Sequence, residues 1–521
     1  MTKHPVQQWT MAGLVDRAAR EWPDQLAVHD GERRRTFADL RVHSHSAAKA
    51  IIARGLEHGE RIAIWAPNAL DWIIVALAAE QVGLVVVPLN TRYRGREAAD
   101  ILRRSQARML FATREFLGTD LPALLEGEDL PDLQGCVAID PDADELVRFV
   151  ESGKMIDDAQ LAARIAAVTP EAIADILFTS GTTGKPKGVL CSQSQNIRSF
   201  QAWSDAVGLR QGDRYAIVNP FFHSFGYKAG WLACLLAGAT AYPVAMFDAV
   251  SLLSLIERER ITVLPGAPTL YQSMLDEPSL AQHDISSLRL AVTGAASVPP
   301  SLIRRLREDL GIDDVLTAYG LTEATGVVTT TRPDDPAELI AVSCGIALPG
   351  VELRIVDGEG NQVPTGEPGE LLVRGFNVMI GYHNDPAATE EAIDADGWLR
   401  TGDIAVQDEN GYVRITDRAK DLFICGGFNC YPAEIEAILI DHPEIARAAV
   451  IGIPDQRMGE VGQAWLVLRS GTTFDEPAMI AWCRSNMANF KVPRSFRIVD
   501  ELPTSASGKV QRFALRETVP G

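Results

Sequence analysis

Fifteen residues, Asp175 to Val189, constrain this chain more than any others, and they read DILFTSGTTGKPKGV. Ile176, Leu177 and Phe178 give a short buried-strand signal, and the ten residues after them hold three Gly, three Thr, one Ser and two Lys. A strand therefore runs into a loop suited to phosphate. Gly181 and Gly184 let backbone N–H groups face an anion at close range, Thr179, Ser180, Thr182 and Thr183 add hydroxyl donors, and Lys185 and Lys187 add charge. The spacing is not that of a Walker A loop, because only two residues separate Gly181 from the Gly184–Lys185 pair and Pro186 stops a helix from starting there. An ordinary polar linker has a similar composition. The order of the motifs further along decides against it.

Around the loop, strand signals alternate with helical periodicity. RIAIWAPN, VGLVVVPLN, RMLFA and CVAID precede it, with helical stretches from Ala69 to Gln81 and from Arg94 to Ser105 between them. RYAIVN, ATAYPVAM, ITVLPG, LRLAVTG and DVLTAYG follow it as further strands. Alternation of this kind predicts an α/β fold with doubly wound parallel sheets. From Cys344 onward GIALPGVELRIVD, GEPGELLVRG and GYVRITD read as antiparallel hairpins, and the last hundred or so residues read as a separate α+β unit. The expected architecture is a large N-terminal domain, residues 1–419, of two doubly wound α/β subdomains plus a small β subdomain, followed by a small mobile C-terminal α+β domain, residues 420–521.

Charge narrows the partners. The 49 Lys and Arg against 69 Asp and Glu leave a net charge of −20, which argues against nucleic acid or an anionic membrane surface as the main partner. Any polyanion must then be met by a local site. Ala229 to Phe247 is apolar but broken by Gly230, Gly238, Thr240 and Pro243, so a buried helix and a strand are expected rather than a membrane span. The start of the chain has no apolar signal region, and the seven cysteines are scattered without a CxxC pair. A cytoplasmic protein with reduced thiols and no zinc site is the expectation.

Other residues able to carry chemistry lie at intervals. NPFFHSFGYKAGW places His223 among aromatics and glycines, as a packed core residue or a catalytic one. Gly294, Ala295 and Ala296 follow a strand and allow a flat ring to approach the backbone. Tyr319, Gly320, Thr322 and Glu323 set an aromatic face, a hydroxyl and a carboxylate at a strand's carboxyl end, where ligands sit in open α/β sheets. Thr401–Gly402–Asp403 and Asp417–Arg418 are expected at turns. CGGFN, around Gly426 and Gly427, reads as a β-turn or as backbone meant to pass close to a ligand, and Lys509 in PTSASGK taken alone reads as a solvated charge.

In this order, TSGTTGKPKG, YGLTE, TGD, DRAKD and PTSASGK resemble the motif series of the adenylate-forming superfamily, which holds acyl-CoA synthetases, firefly luciferase and the adenylation domains of peptide synthetases. The resemblance runs from the N-terminal helical stretch to Lys509. It implies an AMP-forming acid–CoA ligase that uses ATP, Mg²⁺ and coenzyme A and passes through an acyl adenylate. Thr179 to Lys187 would hold the β- and γ-phosphates, and Gly294 to Ala296 with Tyr319 and Gly320 would contact adenine. Thr322 would bind the α-phosphate, Glu323 the metal, and Asp403 the ribose hydroxyls with help from Arg418. Lys509 would be the catalytic lysine of the first step and Lys420 the hinge. Gly426, Gly427 and Phe428 would pass the pantetheine arm, Phe222, Lys228 and Trp231 would line the acyl pocket, and His223 would have a catalytic place beside it.

Three departures narrow the choice within the superfamily. NPFFHSFG lacks the Asp that amino-acid-activating members use for the α-amine, the chain ends a dozen residues after Lys509 with no carrier domain expected, and GYVRITDRAKD has no insertion of the kind found in ligases that cannot use CoA. FTSGTTGKPKGVLC, PFFHSFGYKAG, ITVLPGAPTLYQS and DLFICGGFNCYPAE look most like the bacterial ligases that activate the methyl-indanedione propanoate left after steroid rings A and B are degraded. That resemblance implies a keto-bearing bicyclic acid. Lys228 would then meet a substrate carbonyl, since a buried unpaired ammonium is costly, or would snorkel to solvent. A medium- or long-chain fatty acid–CoA ligase is the alternative of the same class. A non-catalytic nucleotide-binding protein and a luciferase-type oxygenase are alternatives of other classes, and a homodimer is left open.

Overall fold

Val85–Pro88 and the Ile62–Trp65 part of Arg61–Trp65 are buried on both faces, which is the mark of parallel strands covered by helices on each side. The computed structural model describes residues 9–140, 144–180, 186–294, 300–418, 423–430, 432–469, 471–503, 510, 512–516 and 518. Its seven-stranded sheet runs in the order Gly381–Tyr382, Pro186–Ser192, Ile173–Ser180, Val85–Pro88, Arg61–Trp65, Ala107–Ala112 and Gly135–Ala138. The last five are parallel, and the first two join antiparallel at the edge, so the hairpin 173–192 with the loop it carries stands beside the central parallel strands.

A second sheet is assembled from two four-stranded parts. One holds Arg33–Thr36, Leu26–Asp30, Thr240–Pro243 and Arg214–Ile217, and the other Leu290–Gly294, Asp314–Tyr319, Thr329–Thr330 and Ile346–Ala347. Val263 bridges them, pairing with Tyr215 on one side and Leu290 on the other. The expected strand in ITVLPG is reduced to such isolated bridges: Leu264 and Gly266 donate to Leu290 and Val292 on one side, but Pro265 has no N–H to give on the other side, toward Arg214–Ile217. Helix Leu70–Gln81, buried at all twelve positions, lies in the core with Trp72 against Phe221, Tyr227 and Trp231.

The small β layer is a four-stranded antiparallel sheet, Val351–Val356, Gly369–Gly375, Leu399–Gln407 and Val413–Arg418. It corrects one expectation. Thr401–Gly402–Asp403 and Asp417–Arg418 are not turns but lie inside paired strands, with Asp403 directly opposite Arg418. Gly402 has φ +70° and the register slips between Ile404 and Ala405, so the Gly-Asp signal marks a bulge, which uses the same residue types as a turn.

The C-terminal unit is built on its own sheet, Phe428–Cys430, Phe423–Cys425, Gly459–Leu468, Ile445–Asp455 and Ser495–Ile498. Helices Pro432–Ile440 and Glu476–Asn486 cover one face through Ile435, Leu439, Met479 and Cys483, while Val510 and Leu515 pack with Ala449, Ile451 and Trp465 on the other. No helix among the described residues is long and apolar enough to cross a membrane.

One core residue is out of keeping with its surroundings. Glu80 is fully buried in helix Leu70–Gln81 and accepts a short hydrogen bond from the Tyr227 hydroxyl, while its other oxygen has no partner among the described residues. Burial pushes its pKa from 4.5 to about 8 against the pull of Tyr227, so the carboxyl stays protonated at neutral pH. The folded state therefore keeps a proton that the unfolded chain releases, and unfolding becomes easier as pH rises from about 4.5 to about 8. Glu80→Gln removes this titration. In urea unfolding at a series of pH values, the variant's unfolding free energy should gain on the parent's by a few kcal/mol between the two ends of that window.

Candidate active site

Three distant stretches meet at Glu323. Strand Asp314–Tyr319 ends in the short turn of helix Thr322–Ala324, which is closed by Thr325 in the left-handed conformation. The Glu323 carboxylate accepts a hydrogen bond of 3.0 Å from the Tyr382 hydroxyl and a longer one of 3.4 Å from Thr179. Its backbone carbonyl accepts from Met379 N at 2.8 Å. Tyr382 arrives because Gly381–Tyr382 extends the edge of strand Pro186–Ser192, and its ring lies 4.9 Å beneath the Lys187 ammonium. A carboxylate, a hydroxyl and a cation thus surround the mouth of the loop 181–185.

The residues expected to meet the adenine ring and the ribose, Tyr319 and Asp403, lie on strands Asp314–Tyr319 and Leu399–Gln407. Tyr319 donates a 2.5 Å hydrogen bond to Asp403, whose backbone N–H is held by Thr401 Oγ1 at 3.1 Å. Burial, and then the Asp403 carboxylate, push the Tyr319 phenol well above its ordinary pKa, so the proton stays on tyrosine. The approach of the strands requires glycine: a Cβ on Gly294 would stand 2.6 Å from the Ala318 carbonyl oxygen, and one on Gly320 only 2.2 Å from that of Gly326.

The segment 217–225, expected to border the acyl pocket, is pinned by buried Asn68, whose amide donates to the carbonyls of Ile217 at 3.0 Å and Asn219 at 2.9 Å and accepts from Phe221 N at 2.7 Å. His223 is exposed and caps the short helix Ser224–Gly226, its Nδ1 accepting from Phe225 N at 3.2 Å. That bond places the remaining proton of a neutral imidazole on Nε2. Phe222 is half-buried beside it.

Lys228 and Trp231 behave otherwise than a pocket lining should. Both sit in the π-helical turn Tyr227–Leu232, and Trp231 stacks on Tyr227 at 5.0 Å inside the core. Lys228 has no exposed surface. Its ammonium lies 3.1 Å from Oδ1 of equally buried Asp175, whose other oxygen accepts from Asn196 at 2.5 Å. Burial works against the charged amine, but Asp175 and then Cys191 outweigh it and hold the pKa above the usual lysine value. Neither a substrate carbonyl nor snorkelling describes this lysine. The partner is an aspartate 53 positions upstream on the strand that leads into the phosphate loop, a pairing that sequence spacing does not reveal.

Gly181, Thr182, Thr183, Gly184, Ala295, Ala296, Lys420 and Lys509 lie outside the described residues, as do the side chains of Ser180 and Arg418. In the small unit, Gly426 and Gly427 have φ of +57° and +84°, forming the two-residue turn between strands Phe423–Cys425 and Phe428–Cys430. A Cβ on Gly427 would be 3.7 Å from that of Ala267, so this turn stands against the large domain next to Pro265, whose carbonyl accepts from Asn219 at 3.1 Å. Phe428 stacks on Phe490 at 4.5 Å. Tyr382 escaped the sequence reading. Its only signal was an aromatic in GYHND, remote from every motif.

The donor set suits Mg²⁺ that comes with a phosphate. Among the described residues no group of three or more His, Cys, Asp or Glu could hold a metal. One carboxylate, Glu323, fixed by Tyr382 and next to the Thr179 hydroxyl, is the kind of single protein ligand with which Mg²⁺ completes an octahedron of phosphate oxygens and water.

Comparison with known proteins gives the family. The AMP-binding enzyme family matches residues 15–383, and the AMP-binding enzyme C-terminal domain matches residues 434–509. A 3-[(3aS,4S,7aS)-7a-methyl-1,5-dioxo-octahydro-1H-inden-4-yl]propanoyl:CoA ligase of Mycobacterium tuberculosis is 51% identical over 98% of both chains. Its namesake from Rhodococcus jostii is 46% identical over 99% of both. Among solved structures, o-succinylbenzoate CoA synthetase from Bacillus subtilis, bound with a product analogue, superposes with a TM-score of 0.82 at 28% identity, covering 97% of this chain and 98% of that one.

The buried ion pair yields a stability prediction. Lys228→Met strands Asp175 as an uncompensated buried carboxylate, a loss of roughly 3–5 kcal/mol. In urea unfolding followed by tryptophan fluorescence, the double variant Asp175→Asn/Lys228→Met should recover more than half of that loss.

Proposed function

Since this chain belongs to the AMP-binding enzyme family and is an AMP-forming acid–CoA ligase, we propose that its acid is a propanoate carried on a methyl-substituted bicyclic diketone. The observation that carries this reading is identity of 51% running through 98% of both chains to a ligase named for that acid. A substrate panel tests it. With ATP, Mg²⁺ and CoA, AMP release should be at least about tenfold faster, by kcat/KM, with 3-(7a-methyl-1,5-dioxo-octahydroinden-4-yl)propanoate than with octanoate, laurate or o-succinylbenzoate. A preference for the fatty acids would favour the other member of the class.

The residues divide the work as follows. A carboxylic acid of ordinary pKa, about 4.3, is already ionised at neutral pH, so its oxygen needs no general base to attack the α-phosphorus. The attack forms the acyl–phosphate bond and breaks the α–β anhydride, releasing pyrophosphate. The obstacle is repulsion between anions, and positioned positive charge and donors are what lower it. Thr179, Lys187 and residues 180–185 would meet the β- and γ-phosphates. Glu323, oriented by Tyr382, would hold Mg²⁺, which when bound neutralises charge on the leaving group. Tyr319 would flank adenine, Thr322 would face the α-phosphate, and Asp403, beside Arg418 in register, would accept from the ribose hydroxyls. His223, with its proton on Nε2, would offer a donor to the incoming carboxylate. Lys509 would supply the charge bridging carboxylate and α-phosphate.

In the second step, a CoA thiolate attacks the acyl carbon and breaks its bond to AMP. Lys509 must be elsewhere for the thiol to enter, so the small domain, residues 420–521, would turn about Lys420 against residues 1–419 and bring the Gly426–Gly427 turn to the acyl side. The place of the Gly427 turn, where an added Cβ would be 3.7 Å from Ala267, supports that reading. Lys509→Ala separates the steps: acyl-adenylate formation, read by pyrophosphate exchange, should fall by about 100-fold or more, while CoA capture of a supplied acyl adenylate should stay within about threefold of the parent.

A further inference from the structure

One buried cation joins the two domains. Lys491, between helix Glu476–Asn486 and strand Ser495–Ile498, is only 3% exposed. Its ammonium donates at 2.6 Å to Glu434 in its own domain and at 2.8 Å to Glu97, on helix Gly95–Ser105 of the large domain. The ring of Tyr93, also from the large domain, lies 4.9 Å away, and that of Phe490 5.7 Å. Burial alone would depress the amine, but Glu434 and then Glu97 outweigh it and keep the charge on at any working pH.

Two features suit this contact to being made and broken. Glu97 is held in place whether or not Lys491 is near, because its other oxygen accepts from Arg94 N at 2.9 Å and caps its helix. Lys491 keeps Glu434 when Glu97 withdraws, so parting does not strand a bare buried charge. Lys228 and Asp175, enclosed in one domain, have no such alternative. The contact is also mechanically continuous with the glycine turn: Phe490, next to Lys491, stacks on Phe428, which follows Gly426–Gly427, and its carbonyl accepts from the Cys430 thiol at 3.3 Å.

We propose that Lys491 and Glu97 form an interdomain latch, a positioning pair that holds the small domain in the orientation with the Gly426–Gly427 turn against Ala267, and so serves the CoA-transfer step and not adenylation. It rests on the two-orientation reading above.

Glu97→Gln tests it in the full-length enzyme. The amide oxygen can still cap Arg94 N, but the charge facing Lys491 is gone. The latch requires that single-turnover CoA capture of the supplied bicyclic acyl adenylate slow at least fivefold in Glu97→Gln, with pyrophosphate exchange changed less than twofold. Lys491→Arg, which keeps the charge, should retain more transfer activity than Glu97→Gln. An equal drop in both half-reactions would make Glu97 merely structural and overturn the latch, as would an unchanged transfer rate. Lys509→Ala tells the two failures apart. If it loses transfer along with adenylation, the two-orientation reading falls and the latch with it; if it spares transfer and Glu97→Gln does too, the latch alone falls.

Discussion

Bringing one anion to another is the constraint on which this molecule is built. The chain has a net charge of −20, so its average field repels both a carboxylate and a triphosphate, and attraction has to be local. The hairpin of Ile173–Ser180 and Pro186–Ser192 provides the place. Its antiparallel pairing puts Thr179 opposite Lys187 at the loop's mouth, and its outer edge recruits Gly381–Tyr382, which sets Tyr382 between Lys187 and Glu323. Without that third strand the carboxylate of Glu323 would keep, among the described residues, only the long contact to Thr179. The backbone of the hairpin therefore orders side chains that lie some 200 residues apart.

Buried charge is handled in three ways, and each suits its location. Glu80, in the packed helical core, gives up its charge and keeps a proton. Lys228 and Asp175 keep theirs by facing one another in a closed site, tying the turn beyond His223 to the strand beneath the phosphate loop. Such a pair adds little net stability over an apolar one but penalises any arrangement that separates its members, which fixes the turn Tyr227–Leu232 relative to strand Ile173–Ser180. Lys491, at the boundary of two domains, divides its hydrogen bonds between a carboxylate of each. Only this third arrangement lets the elements part at modest cost.

Short-range signals were readable in the sequence. The parallel strands announced themselves as runs such as Val85–Val86–Val87, because burial on two faces demands apolar residues at every position. Thr401–Gly402–Asp403 was misplaced at a turn since bulge and turn share the same alphabet. Lys228 was misjudged for another reason. Its lone charge in an apolar run signalled that a partner must exist, but the partner, Asp175, is set by tertiary packing, and a substrate group satisfies the same physical demand. Tyr382, Glu97 and Lys491 were illegible on the same ground. Each makes its contact across a long loop closure that leaves no periodic trace.

The two glycines of the small-domain turn show how local folding and domain docking can be told apart. Both have positive φ, so any side chain is strained at either position. Space distinguishes them. A Cβ on Gly426 would come within 2.4 Å of the terminal methyl of Met458, a flexible side chain of the same domain, so the crowding at Gly426 arises inside the small domain. A Cβ on Gly427 would meet, among the described residues, only Ala267 of the large domain, at an ordinary 3.7 Å. The turn's shape is thus made inside the small domain, and the large domain receives it preformed. On the two-orientation reading, docking of a preformed turn would cost little reorganisation, and a single charged contact at the far side of the Phe428–Phe490 stack would bias which face of the small domain is presented.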